Sequence, residues 1–385
     1  MLALMTALAV AAAPVHGSTS DEAPGSYVED HLSTLGLELP DVPPPGSKDV
    51  STTLLAFFER VGQEPSAQAL EAIQALATLP EHQSDAIAAV AAAQIGTDAA
   101  MQALLLDAAT TGATPEPAAY LPALAARAHL VEAALDLASA FPEPLAVAAG
   151  GFDPADPVQV DLGCSNNVYT QDYALVIDVC GDDTYRNNAG GTFQIDGTLS
   201  NCAYTLDLGV SHVAVVASAA LIDLDGNDVY DATDPADIEA NSCGVNGGGV
   251  FGSGFLFDAA GADTYRAGNV GVNGGGHFGI GLLLDQAGGD SYTAADQGAN
   301  GGAYVTGHGA LIDLDGDDTY DAGTATRGVN GGGYMAGVGL VVDIGTLETF
   351  VDNEVFTCHA TEVCTQSPDP LDPFAFDAQG TRINA

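Results

Sequence analysis

The sequence predicts a mainly β protein, a parallel β-solenoid of about six coils preceded by a small all-α domain of helical hairpins. Three observations predict it. An Asp-x-x-Gly-x-Asp-x-Tyr motif recurs along the second half of the chain. A glycine-rich GVNGGG motif recurs in step with it. Ahead of both, residues 49–149 carry few glycines and place apolar residues at helical spacing.

The repeats define the solenoid, residues 150–356. Copies of the first motif run from Asp178 to Tyr185, Asp223 to Tyr230, Asp258 to Tyr265, Asp285 to Tyr292 and Asp313 to Tyr320, with a decayed copy from Asp343 to Phe350. Their first aspartates are 45, 35, 27, 28 and 30 residues apart. The glycine motif starts at Gly244, Gly271, Gly298 and Gly328. A fixed interval of this size marks a stacked-repeat architecture, in which each repeat buries its apolar face against its neighbours. The apolar runs are short, such as Leu282-Leu283-Leu284, and glycine flanks them, which disfavours helix. Each repeat therefore reads as two or three short strands joined by glycine turns. Propeller blades, the rival, run to ~40 residues or more. Parallel crossovers are right-handed as a rule, so a right-handed coil is expected.

Stacking would put equivalent residues of neighbouring coils ~4.8 Å apart. Tyr185, Tyr230, Tyr265, Tyr292 and Tyr320 then form a ladder that ends in Phe350. Asn246, Asn273, Asn300 and Asn330 form an amide ladder. Both read as structural. Two aspartate ladders are more informative. One runs through Asp178, Asp223, Asp258, Asp285, Asp313 and Asp343, the other through Asp183, Asp228, Asp263, Asp290 and Asp318. Carboxylates at this spacing repel by ~1 kcal/mol in water and several-fold more at lower dielectric. Either cations lie between the coils, calcium being the choice for oxygen-only ligands, or each carboxylate accepts N–H groups of its own loop in an Asx turn. The sequence leaves both open. The copies at Asp223 and Asp313 add Asp225 and Asp315, which makes them the densest oxygen clusters. The candidate calcium ligands are Asp178, Asp183, Asp223, Asp225, Asp228, Asp258, Asp263, Asp285, Asp290, Asp313, Asp315 and Asp318. These are not EF-hand loops, which need a Glu at the last loop position.

The Gly-x-Asp-x-Tyr half-motif, as in GNDVYD, GADTYR and GDDTYD, resembles half of the nonapeptide calcium-binding repeat of RTX proteins. The resemblance covers roughly residues 175–350. It implies a parallel β-roll, calcium in the turns and secretion, with Asp183, Asp228, Asp263, Asp290 and Asp318 as ligands. The chain departs from that family in using the half-motif once per coil rather than every nine residues.

The 385 residues carry 52 acidic and seven basic side chains, a formal charge of −45, and one lysine, Lys48. So few cations exclude nucleic-acid binding through phosphate contacts. The balance suits a protein kept soluble in high salt, or an acidic extracellular protein that meets divalent cations. Residues 1–17, with an apolar run from Leu2 to Ala13, read as a signal peptide too short to span a bilayer. No other segment reads as a transmembrane span. Residues 18–48 read as a disordered acidic and Pro-rich linker.

In the helical domain, Leu54, Phe57, Phe58 and Val61 share one face before Gly62. Ser66 caps a second helix over Leu70, Ile73 and Leu76. A third holds Ile87 and Val90 and ends near Gly96. A fourth runs from Thr97 or Asp98 to Gly112, and a fifth from about Pro117 to Ala140, with Pro122 in its first turn. A helical domain at this place is expected to cap one end of the solenoid. The long steps of 45 and 35 residues imply insertions, one with a strand near Val213–Val216, the other with the acidic loop Asp231–Glu239.

The six cysteines, Cys164, Cys180, Cys202, Cys243, Cys358 and Cys364, imply disulfides behind a signal peptide. A Cys358–Cys364 pair would pin the C-terminal tail, 357–385, on which Phe374 and Phe376 fold back toward the last coil. The other pairings stay open. No hydrolase, metalloprotease or phosphate-loop motif occurs, and no catalytic residue is assigned. The function expected is a secreted or cell-surface structural and binding module, stabilised by calcium, whose partner is an extracellular protein or a polysaccharide. The alternatives are a carbohydrate-active enzyme drawing on Arg266, Arg327, His277 and His308, and a calcium-free scaffold whose helical domain docks a partner protein.

Overall fold

Every repeat contributes one strand to each of two parallel sheets, and four repeats contribute to a third. This is the arrangement of a computed structural model, which describes residues 32–33, 37–46, 49–112, 115–142, 151–194, 216–232, 243–268, 270–294, 297–323, 327–344, 349–351, 356–358, 363–366 and 379–384. The expected signal peptide, the acidic loop beyond Ala232 and the tail phenylalanines Phe374 and Phe376 lie outside the described residues.

The first sheet aligns strands Val158–Asp161, Leu175–Asp178, Ala219–Asp223, Ser253–Asp258, Ile280–Asp285, His308–Asp313 and Val338–Asp343 in parallel. Register is exact at the aspartates: Asp161 opposes Asp178, Asp258 opposes Asp285, and Asp313 opposes Asp343. Side chains alternate across the sheet. Phe255, Phe257, Leu282 and Leu284 face one way, into a core shared with the helices. Leu256, Leu283, Leu311 and Val341 face the other way, onto the tyrosines. Burial on both faces explains the near-continuous apolar runs.

The second sheet, from Val168–Tyr169 to Thr349–Val351, stacks the tyrosines. Ring centroids are 4.7–4.9 Å apart from Tyr169 to Phe350, and the stacked rings are nearly parallel. The third sheet holds Gly249–Val250, Gly276–His277, Ala303–Tyr304 and Gly333–Tyr334. Beside it the amide ladder forms as expected. Asn246 Nδ2 donates to Asn273 Oδ1 at 2.9 Å, Asn273 to Asn300 at 2.8 Å and Asn300 to Asn330 at 2.8 Å. All four asparagines have positive φ, between 45° and 51°. Asn accepts that left-handed conformation better than other side chains.

The structure adds a repeat that the motif count omits. Val158–Asp161 and Val168–Tyr169 form an earlier repeat, with Tyr169 at the head of the tyrosine stack. At the other end Gln379–Asn384 pairs in parallel with Val338–Asp343, and Val363–Gln366 and Phe356–Cys358 follow antiparallel. Cys358 and Cys364 are register partners there. Cys164 and Cys180 form a disulfide between the first two repeats, and Cys243 is also disulfide-bonded. The strand expected near Val213 appears as Val216–Ala217, paired antiparallel with Phe193–Gln194.

Four helices are described: α1 (Val50–Arg60), α2 (Ala67–Leu76), α3 (Glu81–Thr111) and α4 (Leu121–Ala140), the last entered through a 3-10 turn at Pro117–Tyr120. Asp49 caps α1 and Ser66 caps α2, whose Oγ accepts from the Ala69 N–H at 3.0 Å. The expected break near Gly96 is corrected. One 31-residue helix runs through it. Thr97 does not cap a new helix: its hydroxyl donates back to the Ala93 carbonyl at 3.1 Å. Asp98 does not cap either: it accepts from Arg60 Nε at 2.6 Å and from the Ser218 N–H at 2.9 Å. A mid-helix glycine costs only ~1 kcal/mol, and these contacts offset it. The segment Glu81–Ala108 is, by length and composition, apolar enough to cross a membrane, and half of its most apolar window is buried inside the fold.

The helices lie along the face of the first sheet rather than over one end of it. Leu54, Phe58, Ile87 and Leu137 belong to one apolar core with Val158, Phe255, Ile312 and Val342. Polar contacts fix the layer. The Ser66 hydroxyl donates to Asp156 at 2.6 Å, and His308 Nε2 donates to the Pro117 carbonyl at 2.9 Å. The described part of the expected linker also packs on the helices. Leu32 is buried against Met101 and Tyr120, and the Val42 carbonyl accepts from His129 Nε2 at 2.8 Å.

Candidate metal centres between the strands

The two aspartate ladders have different environments. From Asp178 to Asp313 the first ladder uses both carboxylate oxygens. Oδ1 accepts the N–H two residues on, at 3.2 Å in Asp178, Asp258 and Asp285 and at 3.4 Å in Asp223 and Asp313. Oδ2 accepts the hydroxyl of the preceding coil's tyrosine. The distances are 2.5 Å for Tyr169 to Asp178 and Tyr185 to Asp223, 2.6 Å for Tyr230 to Asp258 and Tyr265 to Asp285, and 2.7 Å for Tyr292 to Asp313. This is the Asx-turn arrangement, with a tyrosine lid that the sequence did not reveal. It explains why Asp and Tyr repeat together.

The second ladder is half satisfied. Each Oδ1 accepts the backbone N–H of the equivalent residue one coil earlier: Asn167 to Asp183 at 2.5 Å, Asp183 to Asp228 at 2.5 Å, Asp228 to Asp263 and Asp263 to Asp290 at 2.6 Å. The other oxygen, Oδ2, is buried without a hydrogen-bond partner in Asp183, Asp228, Asp263 and Asp290. These side chains are only 1–3% exposed. Unpaired buried oxygens of this kind are costly.

Four groups of three carboxylates result: Asp183, Asp223 and Asp228; Asp228, Asp258 and Asp263; Asp263, Asp285 and Asp290; Asp290, Asp313 and Asp318. Within each group one oxygen per residue lies within 4.8 Å of the others. Ligands held ~2.4 Å from one hard cation lie no further apart than about that distance. These groups can therefore hold a metal ion. The motif's glycine keeps the turn tight: a Cβ at Gly226 would collide with the Gly181 carbonyl oxygen and with the Asp228 carboxylate.

Burial and the neighbouring acids both resist ionisation. Burial, then the charge of Asp258, pushes Asp228 up to about 9 and Asp263 up to about 10. Burial pushes Asp290 up to about 7 and Asp183 up to about 6. Burial, then Asp258, also raises Asp223 and Asp285. A cation or bound protons must neutralise such a stack.

The other candidate ligands fall outside these groups. Asp225 and Asp315 are exposed at the turn tips, and Asp178 belongs to the first coils, where Asn167 stands in place of the second aspartate. Asp161 and Asn167 are the residues the motif count overlooks; Asn167 Nδ2 donates to Asp161 Oδ2 at 2.8 Å.

The residues weighed for an enzymatic role are not brought to one cleft. His277 stacks on Tyr304 and is bonded to that residue's carbonyl through Nδ1. His308 is bonded to Pro117 under the helices. Arg266 reaches Asp231 at 3.7 Å on the outer surface, and Arg327 lies over the Tyr334 ring. No family model, no curated protein and no solved structure matches this chain.

Proposed function

We propose that the chain is a secreted, acidic, right-handed β-solenoid that serves as a structural and binding module, with divalent cations between its coils. The observation that carries the reading is the row of buried, unpartnered Oδ2 atoms at Asp183, Asp228, Asp263 and Asp290, each beside two further carboxylates. Two aspartates recur per coil, so one divalent ion per coil balances the charge. The ligands are hard oxygens from carboxylates, with turn carbonyls close by, which favours calcium over softer metals. The likeness of Gly-x-Asp-x-Tyr to the RTX half-motif points the same way. Secretion is supported by the disulfide and by the apolar start of the sequence. An extended face of stacked strands suits a partner that is itself extended, a polysaccharide or an extracellular protein.

The test is thermal unfolding of the full chain in EDTA, in millimolar calcium and in millimolar magnesium at matched ionic strength. The full chain is needed because the helices share their core with the first sheet. Calcium is expected to raise the midpoint by several degrees, since a ligand at 100 times its Kd adds about 2.7 kcal/mol per site. Asp228→Asn with Asp263→Asn removes ligands from the first three groups and should remove most of that rise. If sodium gives the same rise, or if the variant loses as much stability in EDTA as in calcium, the carboxylates hold protons and the metal reading fails; an equal rise in magnesium would remove the preference for calcium alone.

A further inference from the structure

Arg127 on α4 is a buried cation that no described residue neutralises. Its side chain is 4% exposed, and its Nε and Nη2 have no hydrogen-bond partner. Among the described residues no carboxylate bonds this guanidinium, and burial alone pulls it down to about 9. An isolated buried charge is among the costlier features a fold can carry. Arg127 lines a cavity of about 50 Å³ between α4 and the first sheet, walled by Leu39, Leu124, Val131, Leu282 and Leu340, with His308 at its side.

We propose that this cavity binds the carboxylate of a short-chain monocarboxylic acid, of acetate or propionate size, against the guanidinium of Arg127. Four features define the ligand. Arg127 lines the cavity with hydrogen-bonding capacity unspent, and a guanidinium is the side chain whose planar N–H groups match a carboxylate. A single buried cation is balanced by one negative charge, so a dianion would leave a charge uncompensated. The volume admits a group of about three to five heavy atoms, since one water needs about 10–15 Å³ of such a cavity. The walls are leucine, valine and alanine, which suit a methyl or ethyl tail and offer no second polar anchor apart from His308. The site does not depend on the aspartate ladders.

The test is calorimetric titration of the full chain with sodium acetate in EDTA at constant ionic strength, paired with thermal midpoints. Saturable binding is expected, with a rise in midpoint that sodium sulfate at the same ionic strength does not give. Arg127→Met should abolish binding while keeping the fold, because an apolar chain replaces an uncompensated charge. Arg127→Lys keeps the charge but loses the fork and should weaken binding by about tenfold. Ala128→Leu, which fills the cavity and leaves Arg127 in place, should also abolish it. The proposal is overturned if the wild-type chain shows no saturable binding, if Arg127→Met binds equally well, or if chloride raises the midpoint as much as acetate does.

Discussion

The hydroxyl of Tyr265 sits between two buried carboxylates, 2.6 Å from Asp285 Oδ2 and 3.3 Å from Asp258 Oδ2. Its ring is fully buried and stacks on Tyr230 and Tyr292 at 4.7 Å. Ring and hydroxyl have separable roles. Tyr265→Phe keeps the stack, as Phe350 does at the end of the ladder, but leaves Asp285 without its closest donor. The cost expected is about 1–3 kcal/mol, the price of leaving a buried acceptor unmet. Urea denaturation measures it. A loss below the error of that measurement would show that the first ladder does not depend on its tyrosines.

At the scale of the strand and turn, four of the repeats are fixed by an asparagine. Asn273 holds φ of 48° while its amide bridges Asn246 and Asn300. Asn273→Gly keeps the backbone at ease and removes the bridge; Asn273→Ala removes the bridge and strains the backbone as well. Alanine should therefore be the more destabilising of the two, by about 1 kcal/mol. Equal losses in a denaturation series would mean that the turn is held by its neighbours. Much at this scale was legible in the sequence, because a strict interval forces equivalent residues into register: the tyrosine and asparagine ladders and the paired aspartates all lie where the motif put them. The missing coil was not legible for a local reason. Between Asp161 and Tyr169 the turn is one residue longer, and Asn167 replaces the second aspartate. Gly96 misled because a glycine reads as a stop only when tertiary contacts do not override it; Asp98 is held by Arg60 and Ser218, which belong to other elements. Neither the Tyr-to-Asp hydrogen bonds nor the unpartnered Oδ2 atoms could be read from spacing, since both depend on how side chains of successive repeats meet.

Across the whole molecule, the helical layer and the first sheet form one core, so contacts at their boundary act on the entire fold. His308 is such a contact. It belongs to the sheet, donates to Pro117 at 2.9 Å, and faces the Tyr120 ring at 5.4 Å and the Arg127 guanidinium, whose charge lowers it further. Burial pulls it down to about 4 from an ordinary 6.5. The unfolded chain therefore binds a proton near 6.5 while the folded one resists until about 4. Stability from this group is complete above the ordinary value and is lost as the pH falls through that window. The aspartate groups act in the opposite sense, because raised carboxyls favour the folded state at low pH. The two effects separate by difference. His308→Gln keeps an N–H donor and cannot charge, so its midpoint should gain on that of the wild type as the pH is lowered from 6.5 toward 4. The aspartate contribution is common to both chains and cancels. A constant gap between the two midpoints across that range would mean that His308 accepts its proton without disturbing the helical layer.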